Sequence, residues 1–249
     1  MTVVDESHLA VDGCVNFRDA GGWSIADGAT MRRGLLYRSD DPVRVTAAGR
    51  RAVAALELAA VVDLRQHHQF IRTPGFADPA ITFHRPLVDW VIDVDDPPPL
   101  TDPEHLTDVY QAMIERSREQ IGDVLGVVGN HIGSGPVLVH CAFGKDRTGI
   151  IVALVQAAIC VPAESIADDY HRSHEPARRR REWMLSEPLA GDPPIHRPPA
   201  YLFSAPRESM ELLLQQAHAA HGTLADWFDS FPTPPGTVEQ LRTALLVQG

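Results

Sequence analysis

Cysteine is scarce in this chain of 249 residues, which has only Cys14, Cys141 and Cys160. Three thiols make no disulfide framework, so the fold must rest on a buried apolar core, and a reducing cytoplasm suits such a protein. Long apolar runs are missing: none could span a bilayer, and integral membrane contact is not expected. The segment Met1 to Gly13 carries Asp5, Glu6 and Asp12 and no apolar stretch, which argues against a cleaved signal peptide. Positive charge is in deficit, with 22 Lys and Arg against 33 Asp and Glu and a net charge of −11. Nucleic acid and anionic membrane surfaces are therefore poor partners, and any phosphate site has to be a local positive focus on an acidic body. Metal-ligand spacing is absent too. His67 and His68 would face opposite ways on a strand and read as a solvated pair, so no metal or other cofactor is expected. The oligomeric state is not legible.

What is present is a core-forming chain, 44% hydrophobic, in which short apolar runs alternate with helical patterns. Its length suits one filled core, so residues 1–249 read as a single domain of α/β class, with 173–206 as a lid or mobile connection. Within it, Pro136 to Val139 reads as a buried strand and Ile150 to Cys160 as a helix apolar on every face, which would place Cys160 in the core. Between them runs His140-Cys141-Ala142-Phe143-Gly144-Lys145-Asp146-Arg147-Thr148-Gly149. A helix start offers unpaired N–H groups and a positive dipole end, and a tight loop adds a nest of amides; together they suit a tetrahedral oxyanion. Cys141 and Arg147 are separated by five residues, so sulfur and guanidinium can converge on one ion. The amides and Arg147 would stabilise a thiolate, and the guanidinium can hold two phosphate oxygens. Nucleophile, cradle and clamp in one loop describe phosphate-ester hydrolysis.

The pattern His140-Cys141-(five residues)-Arg147-Thr148 resembles the signature loop of the cysteine-dependent protein tyrosine phosphatase superfamily. Its fuller form is similar to the bacterial atypical branch of the mycobacterial tyrosine phosphatase B type. Asn16-Phe17-Arg18-Asp19, Leu36-Tyr37-Arg38-Ser39, Val62-Asp63-Leu64-Arg65 and Asp169-Tyr170 with Ser173 are similar to segments of that branch in the same order. The segment from Gly222 to Leu246 also looks like that branch's tail. The resemblance implies a central, mostly parallel sheet flanked by helices, with the loop at a strand's C-terminal end. It implies a substrate that is a phosphorylated protein, a phosphoinositide or a small phosphate ester. Attack by Cys141 would form a phosphocysteine, with the amides of Ala142, Phe143, Gly144, Lys145, Asp146 and Arg147 holding the phosphoryl oxygens. It also implies that His140 orients the loop, that Thr148 assists the leaving sulfur, and that Asn16, Arg18, Asp19 and Arg65 support the site from behind. Lys145 resembles the lysine of phosphoinositide-active relatives. For the general acid, Asp89 matches the branch's proposed donor and Asp146 competes with it. Where the branch carries an acid after Arg65, this chain has Gln69. Cys14 could trap an oxidised Cys141 as a disulfide. Export without a cleaved signal stays open, since that branch includes a secreted member, as does the non-enzyme alternative of a phosphate-binding pseudophosphatase.

Other expectations are local. Residues 14–30 read as a turn cluster, and a helix runs from Glu104 to about Ile132 with a break near Gly122. Thr237 with Gln240 reads as a capping box, and the four arginines Arg178 to Arg181 read as a largely solvated helix face.

Overall fold

The computed structural model describes residues 9–25, 28–73, 75–87, 103–187 and 203–248. In chain order these form β1 Arg18–Asp19, β2 Ala29–Met31, β3 Leu36–Ser39, α1 Ala47–Ala54, β4 Ala60–Asp63, α2 His67–Arg72 and β5 Thr82–His84. Then follow α3 Pro103–Arg116, α4 Arg118–Ile132, β6 Val137–His140, α5 Asp146–Ala158, α6 Ala163–His171 and α7 His174–Ser186. The C-terminal part holds α8 Arg207–His221, α9 Leu224–Asp229, α10 Thr237–Leu245 and β7 Leu246–Gln248. No helix among the described residues is long and apolar enough to cross a membrane.

The main sheet has the order β1-β3-β6-β4-β5. Strands β3, β6, β4 and β5 run parallel, and β1 is antiparallel to β3. Strand β6 is central, with Val137 opposite Leu36 on one side and Ala60 on the other. A parallel strand in that place is covered on both faces, which is why all four of its residues are buried. Val137 and Val139 join the larger core with α4 and α5, while Leu138 faces Tyr37, Val61 and Val53 of α1. Helix α5 is buried from Arg147 to Ala158, as a helix apolar on every face must be. It packs against α4, α6, α9 and α10.

Several local expectations are corrected. The 14–30 region contains two strands, β1 and β2, and β2 pairs with β7 in a second small sheet. The break between α3 and α4 falls at Ser117; Gly122 lies inside α4, where a Cβ would stand 2.6 Å from the Pro232 carbonyl oxygen. Its glycine serves close packing rather than a turn. The cap of α10 is Gly236 in the left-handed region, and the Thr237 hydroxyl bonds the Pro234 carbonyl. His67 and His68 are on a helix, α2, though exposed as expected. Helix α5 stops at Ala158, so Cys160 is exposed at φ +63° with the Arg242 Nη1 3.7 Å from its sulfur. Pro162 cannot continue the helix, and the turn before it carries Cys160 out of the core. Of the expected lid, 174–186 is helical and 188–202 lies outside the described residues, as does the segment 88–102 with Asp89.

Candidate active site

Strand β6 ends at His140, the chain turns at Cys141, and Asp146 opens α5 with Arg147 in its first turn. Gly144 has φ +67°, and a Cβ there would stand 2.4 Å from the Ser39 carbonyl oxygen, so both the backbone angle and the space demand glycine. Three consecutive loop carbonyls are then bound by the scaffold. The Asp41 N–H donates to Ala142 O at 3.3 Å, Asn16 Nδ2 to Phe143 O at 2.9 Å, and Arg38 Nη2 to Gly144 O at 2.8 Å. In a trans peptide the N–H points opposite to the C=O. Binding these carbonyls therefore turns the N–H groups of Phe143, Gly144 and Lys145 away from the scaffold. Among the described residues no protein acceptor takes the amides of Ala142 to Asp146. The loop has the shape an anion cradle needs, and that shape is enforced from behind.

The enforcing layer is charged and buried. Asp169, on α6, meets Arg38 Nη1 at 2.5 Å and Arg18 Nε at 3.5 Å, with all three side chains essentially inaccessible. Arg18 also bonds the Asn16 amide oxygen and the Asp169 carbonyl, and Ser173 Oγ accepts from it at 3.0 Å. Two guanidiniums sharing one carboxylate leave surplus positive charge; burial and Arg38 pull Arg18 down to about 9. Asn16 thus links Arg18 to the loop, while its backbone N–H donates to Asp40 at 3.0 Å. Burial raises Asp40 to about 6. Arg18 is no surface residue and does not pair with Asp19, whose carboxylate accepts from Gly21 N and Gly34 N and has no bond to the loop.

On the β4 side, Arg147 Nη1 donates to Leu64 O at 3.0 Å, and the Leu64 N–H donates to His140 O at 2.9 Å. Arg65 pairs with Asp63 through Nη2 at 2.6 Å, so the missing acid at Gln69 costs it no partner. His140 packs edge-on against Phe76 with its Nε2 3.5 Å from Asp63. Burial holds its imidazole down to about 4, opposed by Asp63, so it is neutral at neutral pH. Cys141 is buried, and Thr148 Oγ1 makes no hydrogen bond to it or to any other described residue. Lys145 is completely buried and its ammonium rests on Asp146 Oδ1. That carboxylate also accepts from the Tyr110 hydroxyl at 2.7 Å, a residue the sequence reading passed over. Burial and Asp40 push the Cys14 thiol above its ordinary range, which makes it a weak nucleophile.

The arginine run is not uniformly solvated. Arg178 pairs with Glu175 and Glu182, but Arg180 is buried and bonds Asp41 at 2.9 Å. Since the Asp41 N–H holds Ala142 O, Arg180 ties α7 to the loop. Exposed Arg181 lies over Phe203, whose ring meets Phe143 edge-on at 5.7 Å.

The layer makes a definite prediction. Asp169→Asn strips the carboxylate from two buried guanidiniums and should cost about 3–5 kcal/mol in denaturant unfolding. A stability equal to the parent's would show that Asp169 does not carry the network.

Comparison with known proteins agrees with this geometry. Residues 9–247 match the family described as "Tyrosine phosphatase family". The triple specificity protein phosphatase PtpB of Mycobacterium tuberculosis is 34% identical over 194 residues, 66% of this chain and 68% of that protein. A putative tyrosine-protein phosphatase of Cupriavidus necator is 32% identical over 177 residues, 67% of this chain and 63% of that protein. The chain thus spans about two thirds of the length of these relatives. The crystal structure of P. aeruginosa TpbA is a distant likeness at 17% identity and TM-score 0.28, covering 77% of this chain and 95% of that one. A match over nearly the whole chain, the cysteine–arginine loop included, places this protein in the tyrosine phosphatase family.

Proposed function

We propose that the protein hydrolyses phosphate monoesters, with protein phosphotyrosine as the main substrate class, through a phosphocysteine on Cys141. The observation that carries this reading is the loop itself, its carbonyls bound behind it and its amides taken by no described acceptor, between Cys141 and Arg147. In the first step sulfur attacks phosphorus as the ester oxygen leaves. The transition state spreads charge over three equatorial oxygens, which fixed amides and the Arg147 guanidinium stabilise without reorganising. In the second step water attacks phosphorus and the thiolate departs; on this reading the Thr148 hydroxyl, which has no hydrogen-bond partner among the described residues, donates to the departing sulfur. His140, neutral and packed against Phe76, supports the loop as a rigid element rather than as a charge. Asn16, Arg18 and Arg65 act through their bonds to the loop and its flanks, and Asp19 acts on the turn before β3.

The relatives' names support a tyrosine phosphatase, and one of them is called triple specificity. Action on phosphoinositides rested on Lys145 as an extra cation for the substrate. Its ammonium is buried against Asp146, which weighs against that role and favours the protein substrate. Loss of catalysis in a pseudophosphatase usually removes the cysteine or the arginine, and this chain keeps both.

Turnover of para-nitrophenyl phosphate should be inhibited by vanadate and insensitive to chelators. Cys141→Ser should lower it by at least about a thousandfold; a variant that keeps activity would exclude Cys141 as nucleophile. The leaving group's proton comes, on this reading, from Asp89. Asp89→Asn should then slow aryl phosphates of high leaving-group pKa far more than activated ones, and equal slowing of both would remove Asp89 from the role.

A further inference from the structure

The first turn of α5 carries a hydrogen-bonded chain that the phosphoryl-binding loop does not require. Tyr110 of α3 donates its hydroxyl to Asp146 Oδ1 at 2.7 Å, and Lys145 Nζ sits on the same oxygen. Behind Tyr110, the Tyr170 hydroxyl of α6 lies 2.7 Å away, and the two rings meet edge-on. Both tyrosines are buried, and burial with Asp146 nearby pushes both hydroxyls up, so each keeps its proton and remains a donor. Because Tyr110 spends its proton on Asp146, Tyr170 must supply the proton between the two oxygens. The chain therefore has one direction, Tyr170 to Tyr110 to Asp146. Gly149 keeps it close: a Cβ there would stand 3.1 Å from Tyr170 Cδ2.

Two donors on Oδ1 fix the role open to Asp146. One oxygen is saturated, and Oδ2 has no partner among the described residues, on a side chain that is 21% exposed next to Arg147. We infer that Tyr110 is a positioning residue that holds Asp146 as the acceptor for the water attacking phosphocysteine, rather than as the acid of the first step. This rests on the phosphocysteine reading above. In the step, the water oxygen forms a bond to phosphorus, the P–S bond breaks, and its electron pair returns to Cys141 as thiolate. The water proton passes to Asp146 Oδ2 and then to solvent, and orthophosphate leaves. Lys145 and the two tyrosines change no bond; they keep the carboxylate aimed.

The experiment is rapid-quench kinetics with para-nitrophenyl phosphate on the full chain, reading the nitrophenol burst, the steady-state rate and the phosphoenzyme trapped by acid. Tyr110→Phe keeps the ring and removes the hydroxyl. It should leave the burst rate unchanged, lower the steady-state rate by about tenfold and raise trapped phosphoenzyme, the size expected for one lost buried hydrogen bond. Tyr170→Phe should act in the same direction and less strongly. A tyrosine pair that only packs helices would slow both phases together, or lower the active fraction and the melting temperature without changing their ratio; either result overturns the inference. Slowing of the burst alone would make Asp146 the acid of the first step and also overturn it. If the parent enzyme itself turns over without trappable phosphoenzyme at any mixing time, the phosphocysteine reading fails instead.

Discussion

Everything at the site depends on one buried charge cluster, Arg18 and Arg38 gathered around Asp169. Burying ions is expensive, and a cluster with two cations for one anion does not lower its own cost by pairing alone. Apart from the buried Arg38 Nε, which has no partner among the described residues, its remaining donors go to neutral oxygens, and one of those is the Gly144 carbonyl in the loop. Charge that would be wasteful in a plain core is thereby turned into loop geometry. It also leaves net positive charge under the loop proposed to bind phosphate, within a protein of formal charge −11. The local focus that an acidic body needs for a phosphate site comes from beneath the loop as well as from Arg147.

The fold serves this arrangement by stacking order rather than by any single element. Strand β6 lies in the middle of the sheet, so its C-terminal end is flanked by the ends of β3 and β4. From β3 come Arg38, the Ser39 carbonyl that excludes a side chain at position 144, and the turn with Asp40 and Asp41. From the end of β4 come Asp63 and the Leu64 carbonyl that holds Arg147. The helices α6 and α7 deliver Asp169, Ser173 and Arg180 from the other layer. Ligand sites in open parallel sheets fall at such strand ends because neighbouring strands supply a rigid rim there.

The loop was legible because its chemistry is contiguous: one strand, one turn and one helix start, each with its own composition. The supporting arginines were legible only through resemblance, since Arg18 and Asp169 are 151 positions apart and nothing local marks them as partners. Tyr110 was invisible for the same reason, an ordinary amphipathic position on α3 whose meaning lies in its distance to Asp146. Strands of two and three residues, β1 and β2, are too short to show a period. Gly122 and Cys160 misled in opposite ways: a close-packed glycine looked like a break, and a residue just past a helix end looked like core. At Gly122 the tertiary contact with Pro232 decided the outcome, and at Cys160 the turn before Pro162 did.

The central claim is that loop amides, turned outward by carbonyls bound behind them, hold a tetrahedral oxyanion. The most direct measurement is amide chemical-shift mapping by NMR on the Cys141→Ser protein during titration with orthophosphate. The account predicts saturable shifts concentrated at Ala142 to Arg147 and at the Arg147 side chain, with one shared affinity. Saturable shifts centred elsewhere on the chain, with the loop amides unmoved, would contradict it.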